Sequence, residues 1–139
     1  MDTLQNDQNY GKLVVRVSAA SGAVPVPNAT VIVRSAENGA PVRVLGILTT
    51  DESGITPPLF IATPPLSESL SPGGKQPFSE ISAEISADGY YTSVNINIPV
   101  YPGITSIQSA SLIPLPDSQN GIQPSENIVF QNDAQRPNL

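Results

Sequence analysis

The sequence predicts an all-β sandwich, of about seven strands, antiparallel-rich and of Greek-key type. Three observations carry this. Fifteen prolines and 10 glycines are spread so that few windows of twelve residues escape both, which leaves little room for helices. Valine, isoleucine and threonine dominate the apolar segments, which suits strands. Those segments alternate apolar and polar residues, with turn signals at the spacing of roughly 8–12 residues typical of sandwiches.

The strands follow in order. "KLVVRVS" from Lys12 puts Leu13, Val15 and Val17 on one face and Val14 and Arg16 on the other. "AASGAVPVPN" reads as a loop, with Pro25 and Pro27 extended. "ATVIVRSA" is a second strand, with Ala29, Val31 and Val33 opposing Thr30, Ile32 and Arg34. Asn38-Gly39 is a hairpin turn signal, and "PVRVLGILTTD" from Pro41 is a third strand with a bulge at Gly46. "DESG" from Asp51 to Gly54 is a turn in which aspartate caps backbone and glycine takes positive φ.

"ITPPLFIATPP" from Ile55 holds a short strand between two Pro-Pro pairs, which assigns it to an edge. Leu66–Pro77 is a flexible connection. "FSEISAEISA" from Phe78 alternates Ile81, Ala83, Ile85 and Ala87 against Glu80, Ser82, Glu84 and Ser86. After the Asp88-Gly89 turn, Val94, Ile96, Ile98 and Val100 are expected on the core face, opposite Asn95 and Asn97. Pro102-Gly103 is the next turn, and "ITSIQSASLIPL" from Ile104 is the next strand. The domain is expected to span 10–115, after a flexible segment 1–9 and before a polar tail 116–139. In that tail Ile128-Val129-Phe130 can add an edge strand, dock on the sandwich or contact another chain.

Composition bounds the chemistry. The 139 residues contain no cysteine and no histidine, so disulfides, thiolate chemistry and Ser-His-Asp or Cys-His sites are excluded within the chain. Ser-Lys and carboxylate chemistry remain formally open. Twelve acids against six dispersed cations give a net charge of −6, which argues against nucleic acid and anionic membrane surfaces. No apolar run approaches the ~20 residues of a membrane span. The N-terminus lacks the basic and apolar regions of a signal peptide, so a cytoplasmic location is expected of the chain as it stands.

An ordered set of motifs resembles the carboxypeptidase regulatory-like, or transthyretin-like, sandwich. A first strand is followed by Pro25, Val26, Ala29, Val31 and Val33, then by Thr50, Asp51 and Gly54, then by Gly89-Tyr90. These match a proline-led second strand, a T-D-x-x-G turn and a late x-G-Y turn across roughly residues 11–115. A narrower stretch, "GYYTSVNINIPVYPGITSIQSASLIPLP", looks like segments of clostridial proteins that carry this sandwich, some beside peptidoglycan-binding or spore-cortex-lytic modules. The resemblance implies an accessory module of a Firmicute, associated with cell wall or spore if it belongs to a larger or exported assembly. A transthyretin-like hydrolase of ureide type would be expected to bring histidines.

Related adhesin sandwiches join a first-strand lysine to a last-strand asparagine, but Lys12 and Glu84 are out of phase with the core, and Ile104–Pro114 contains no asparagine. Asp51 and Glu52 supply too few oxygens for calcium, so a capped turn is the better reading. Glu80 and Glu84 share the polar face of one strand. The expectation is therefore a chain that is not an enzyme, with no catalytic or metal residues and no cofactor. It would serve as an accessory, structural or protein-interaction module, its partner another protein or a cell-wall component. The alternative is a peptidoglycan- or saccharide-binding module. Tyr91, Asn95, Asn97 and Tyr101 are the expected outward contact residues, with Tyr91 near Tyr101 as a small aromatic platform.

Overall fold

A computed structural model of the chain describes residues 10–36, 41–63, 79–116 and 128–131. The expected segment 1–9, the Asn38-Gly39 turn, the 66–77 connection and most of the tail lie outside the described residues. Among the described residues no helix is long and apolar enough to cross a membrane.

Two sheets pack face to face. The first, sheet A, is built on β1 (Tyr10–Ala19). One side of β1 carries β2 (Val24–Pro25) and β5 (Leu59–Ala62), and the other carries β8 (Thr105–Leu112). Sheet B runs β4 (Val44–Thr49), β3 (Thr30–Ser35), β6 (Ser79–Ser86), β7 (Ser93–Val100) and β9 (Ile128–Gln131). The seven expected strands are present, β2 is additional, and β9 is the edge strand that Ile128-Val129-Phe130 was expected to be able to add. Most pairings are antiparallel, but β8 runs parallel to β1 over eight residues, from Lys12↔Thr105 to Ala19↔Leu112. β9 likewise runs parallel to β7.

Period-two alternation builds the core. Leu13, Val15 and Val17 on β1, Val31 and Val33 on β3, Ile81 and Ile85 on β6, and Ile98 and Val100 on β7 are all fully buried. Each contributes roughly 1.5–3 kcal/mol through removal from water. β5 lies at a sheet edge, paired only with β1 among the described residues, as its flanking prolines require. The expected irregularity near Gly46 is also present: Val33 pairs with Gly46 and Arg34 with Val44, leaving Leu45 as the extra residue.

β7 departs from simple alternation. Ile81 pairs with Ile98 but Ala83 pairs with Asn95, so the single residue Ser82 faces both Ile96 and Asn97. Asn97 sits at φ 60°, the left-handed conformation that asparagine tolerates better than most residues. This bulge reverses the phase of the strand. Ile98 and Val100 point inward as expected, whereas Ser93 and Asn95 are buried and Val94 and Ile96 are only half-buried.

Loop segments hold the two sheets together through buried threonines. Thr50 Oγ1 accepts a hydrogen bond from the Ala29 N–H at 2.9 Å and donates to the Val26 carbonyl at 2.7 Å. Its backbone N–H donates to the Ala29 carbonyl, and its carbonyl accepts from Asn28. Thr56 Oγ1 accepts from the Val15 N–H at 3.0 Å, filling a rung of the β1 ladder that no strand supplies. Gly54, at φ 77°, lies so close to β1 that a Cβ there would collide with the Val17 carbonyl.

Thr50→Val keeps the shape of the side chain but strands one buried N–H and one buried carbonyl. Urea denaturation should show a loss of about 2–4 kcal/mol. Thr50→Ser retains the hydroxyl and should lose only about 1 kcal/mol. Equal losses for the two variants would show that the hydroxyl is not what holds this crossing.

Candidate functional site

The corner at Asp88-Gly89 joins β6 to β7. Gly89 adopts φ 87°, and nothing lies within 4 Å of where its Cβ would be, so the backbone angle alone favours glycine there. The Tyr90 N–H donates to the Ala87 carbonyl at 3.2 Å to close the turn. The chain leaving β8 returns beside this corner. Tyr91 N–H donates to the Ile113 carbonyl, and Leu115 N–H donates to the Gly89 carbonyl, both at 2.9 Å. Tyr90 packs against the core while Tyr91 is half-buried.

A second turn meets this corner. Asn28, at φ 59°, lies in the turn that leads into β3, and between the two turns lies an open cleft of about 440 Å³. Asn28, Thr30, Ser86, Asp88, Tyr90 and Thr92 line it. The wall therefore offers an amide, hydroxyls, one carboxylate and a phenol ring, with no lysine or arginine. Such a surface suits neutral hydrogen-bonding ligands better than anions. The two turns are far apart in sequence, so only the topology brings them together.

The four expected contact residues do not gather. Asn95 is a correction: it is 4% exposed, because the bulge at Asn97 turns it inward. Its Oδ1 accepts a hydrogen bond from the Ser93 hydroxyl at 3.3 Å. Asn97 and Tyr101 are half-buried. The expected Tyr91–Tyr101 platform is not formed, since the two residues flank opposite ends of β7, roughly 25–30 Å apart at the rise of a strand.

The other chemical candidates occupy structural roles. The Lys12 ammonium lies 5.2 Å from the centroid of the Phe60 ring on the outer face of sheet A. Glu84 Oε1 accepts from Arg34 at 2.8 Å on sheet B, so Lys12 and Glu84 lie on different sheets, each out of the core as their phase predicts. Asp51 Oδ1 accepts from the backbone N–H groups of Ser53 and Ile55, which makes it the cap of its own turn.

The outer face of sheet A is the most unusual surface. Tyr10 (43% exposed), Phe60 (60%) and Ile107 (65%) stand on it around half-buried Val14. The registers Lys12↔Phe60 and Val14↔Ile107 place these residues side by side. The strands of sheet A carry Lys12 and Arg16 but none of the chain's 12 acids. Sequence reasoning read each of these strands but not the shared face, because β1, β5 and β8 are distant along the chain.

No protein-family model and no curated protein matches the sequence. Solved structures do resemble the fold. 3-Chlorocatechol 1,2-dioxygenase of Rhodococcus opacus 1CP matches at 13% identity and TM-score 0.50, over 77% of this chain and 61% of that one. Catechol 1,2-dioxygenase of Acinetobacter sp. ADP1 matches at 16% and 0.46, over 88% and 59%. GBS52, the minor pilin of Streptococcus agalactiae, matches at 13% and 0.45, over 78% and 46%. The chain thus spans about six-tenths or less of these structures. The β-sandwich is what the likeness carries. The expectation of a chain that is not an enzyme is corrected here: the sandwich is shared with a dioxygenase, so the fold gives no ground for excluding catalysis.

The inward orientation of Asn95 makes a sharp prediction. Asn95→Asp places a carboxyl where burial disfavours its charged form, raising its pKa in the folded state above the unfolded value. The folded protein then binds more protons than the unfolded chain, so the destabilisation is smallest in acid and grows as pH rises through the carboxylate range. Denaturant titrations should show a penalty of about 1–3 kcal/mol at neutral pH that shrinks towards pH 3. A penalty independent of pH would mean that the position faces solvent.

Proposed function

We propose that this chain is a structural or protein-interaction β-sandwich module that engages a partner protein through the outer face of sheet A. The observation that carries this reading is the exposed, acid-free cluster of Tyr10, Lys12, Phe60 and Ile107 on a chain whose net charge is −6. Exposed apolar and aromatic side chains grouped on one face are typical of contact surfaces, and aromatic residues are enriched in them. The fitting partner presents an apolar patch with acidic residues at its rim. Within the sandwich class, the motif order from Pro25 to Tyr90 supports a carboxypeptidase regulatory-like or transthyretin-like member. The resemblance of the segment after Gly89 supports a setting near the cell wall or spore of a Firmicute.

A photo-reactive residue at Phe60 tests the contact in cells that make the protein. Position 60 should cross-link to a discrete partner band, Lys12→Glu should weaken that band severalfold, and a probe at Glu80 on sheet B should give none. Absence of a band at position 60, or equal bands at 60 and 80, would refute the proposed face.

The polar cleft favours a second reading, a peptidoglycan- or saccharide-binding module. Its amide, hydroxyl and phenol groups match the hydrogen bonding and ring packing that sugars accept. Co-sedimentation with purified peptidoglycan should then exceed that of an unrelated sandwich protein and fall when Thr92→Leu narrows the cleft. Tyr91→Ala, outside the cleft lining, should change it little. Sedimentation no greater than the control would dismiss this reading.

A further inference from the structure

The edges of the two sheets are not alike. β2 is only two residues long and contains Pro25. β5 follows Pro57-Pro58 directly. β4 is bulged at Leu45. β9, the other edge of sheet B, is only four residues long. Each is a recognised way of blunting an edge against pairing with another chain.

β8 has none of these devices. It is eight residues long, pairs with β1 in one unbroken register, and has no strand on its other side among the described residues. From Ile104 to Leu112 it contains no charge, no proline and no glycine. Its outward side chains, Thr105, Ile107, Ser109 and Ser111, are exposed. Ile107 and the neighbouring Ile104 and Ile113 are 65%, 54% and 43% exposed.

We infer that β8 is a self-association edge, where two copies of this chain pair antiparallel across a twofold axis and join their four-stranded A sheets into one. A strand edge with no strand beside it calls for one, and the Gln108 amide that donates to the Ser109 carbonyl at 3.1 Å is an exposed contact that an incoming strand displaces. The neutrality of β8 suits a second copy, because the strand presents no charge that a partner would have to complement. Two chains of net charge −6 repel one another overall, and the strands of sheet A carry no acid of their own to add to that repulsion. Because β8 is uncharged throughout, no antiparallel register sets like charges opposite one another. The inference extends the interaction reading above, yet it rests on the strand edge rather than on the Phe60 cluster.

Sedimentation velocity and light scattering of the full chain, from low micromolar to near-millimolar, test it. The wild type should shift from monomer to dimer mass with concentration. Ile107→Lys, and the double variant Ile107→Lys with Ser109→Lys, should raise the dissociation constant by about tenfold or more while keeping the wild-type circular dichroism and melting transition. Phe60→Ser and Ile47→Lys, away from the β8 edge, should leave it unchanged. A monomer at every concentration would overturn the inference, including the case in which β8 instead accepts a strand from a different protein. So would a dimer that survives the lysine substitutions or is lost with Phe60→Ser or Ile47→Lys. The cross-link at Phe60 reads the partner contact separately, so either proposal can fail alone.

Discussion

The hydroxyl of Thr50 holds the point where the chain passes from one sheet to the other. Between β2 and β3 the backbone makes a turn through Pro27 and Asn28, and a turn at that place leaves main-chain groups without ladder partners. Thr50 supplies them: its side chain bonds Ala29 and Val26, and its backbone bonds Ala29 and Asn28. The group is buried, and an unmet donor or acceptor there would carry its full desolvation cost. A few residues on, Gly54 and Thr56 fasten the same loop to β1. The sequence of hydrophobic strands makes two sheets possible, but this polar tie sets how they are joined, and with it the position of Asn28 on the cleft.

Much of the fold was legible because its longest strands obey a single rule. In β1, β3 and β6 the aliphatic and alanine residues that alternation turns inward, Leu13, Val15, Val17, Ala19, Val31, Val33, Ile81, Ala83 and Ile85, are all buried. The turns at Asp51–Gly54 and Gly89 were legible for a different reason, since aspartate and glycine are there for specific backbone geometry. β7 was misread because alternation assumes one residue per rung. Asn97 breaks that count, and a one-residue offset moves every side chain before it to the other face. An asparagine between two isoleucines was the available signal, but it reads equally well as an ordinary outward polar residue.

The candidate surfaces were less legible than the strands, and for one reason. Asn28 and Asp88, or Lys12 and Phe60 and Ile107, become neighbours only through pairings between distant segments. The parallel pairing of β8 with β1 is the clearest instance. Local pattern identifies β8 as a strand, yet nothing within it names its partner or direction. The Gly89-Tyr90 corner was recognised in sequence, whereas the cleft it forms with Asn28 needed the return of β3 beside it.

Charge then divides what the fold leaves exposed. Both sheets expose large apolar side chains, Ile47 and Val44 on sheet B and Ile107 and Phe60 on sheet A. The sheets differ in what surrounds them. On sheet B, Glu80 and Glu84 stand on the outward face of β6, and Glu84 is held by Arg34. An exposed pair of this kind contributes no more than about 1 kcal/mol to stability. Its larger effect is to leave fixed charges of both signs that a docking surface would have to desolvate. Sheet A asks for no such desolvation of carboxylates, and its two cations lie on β1 rather than on the edge strand. Among the described strands the carboxylates thus stand on sheet B, and the strands of sheet A carry cations alone, which is the electrostatic difference between the two outer faces.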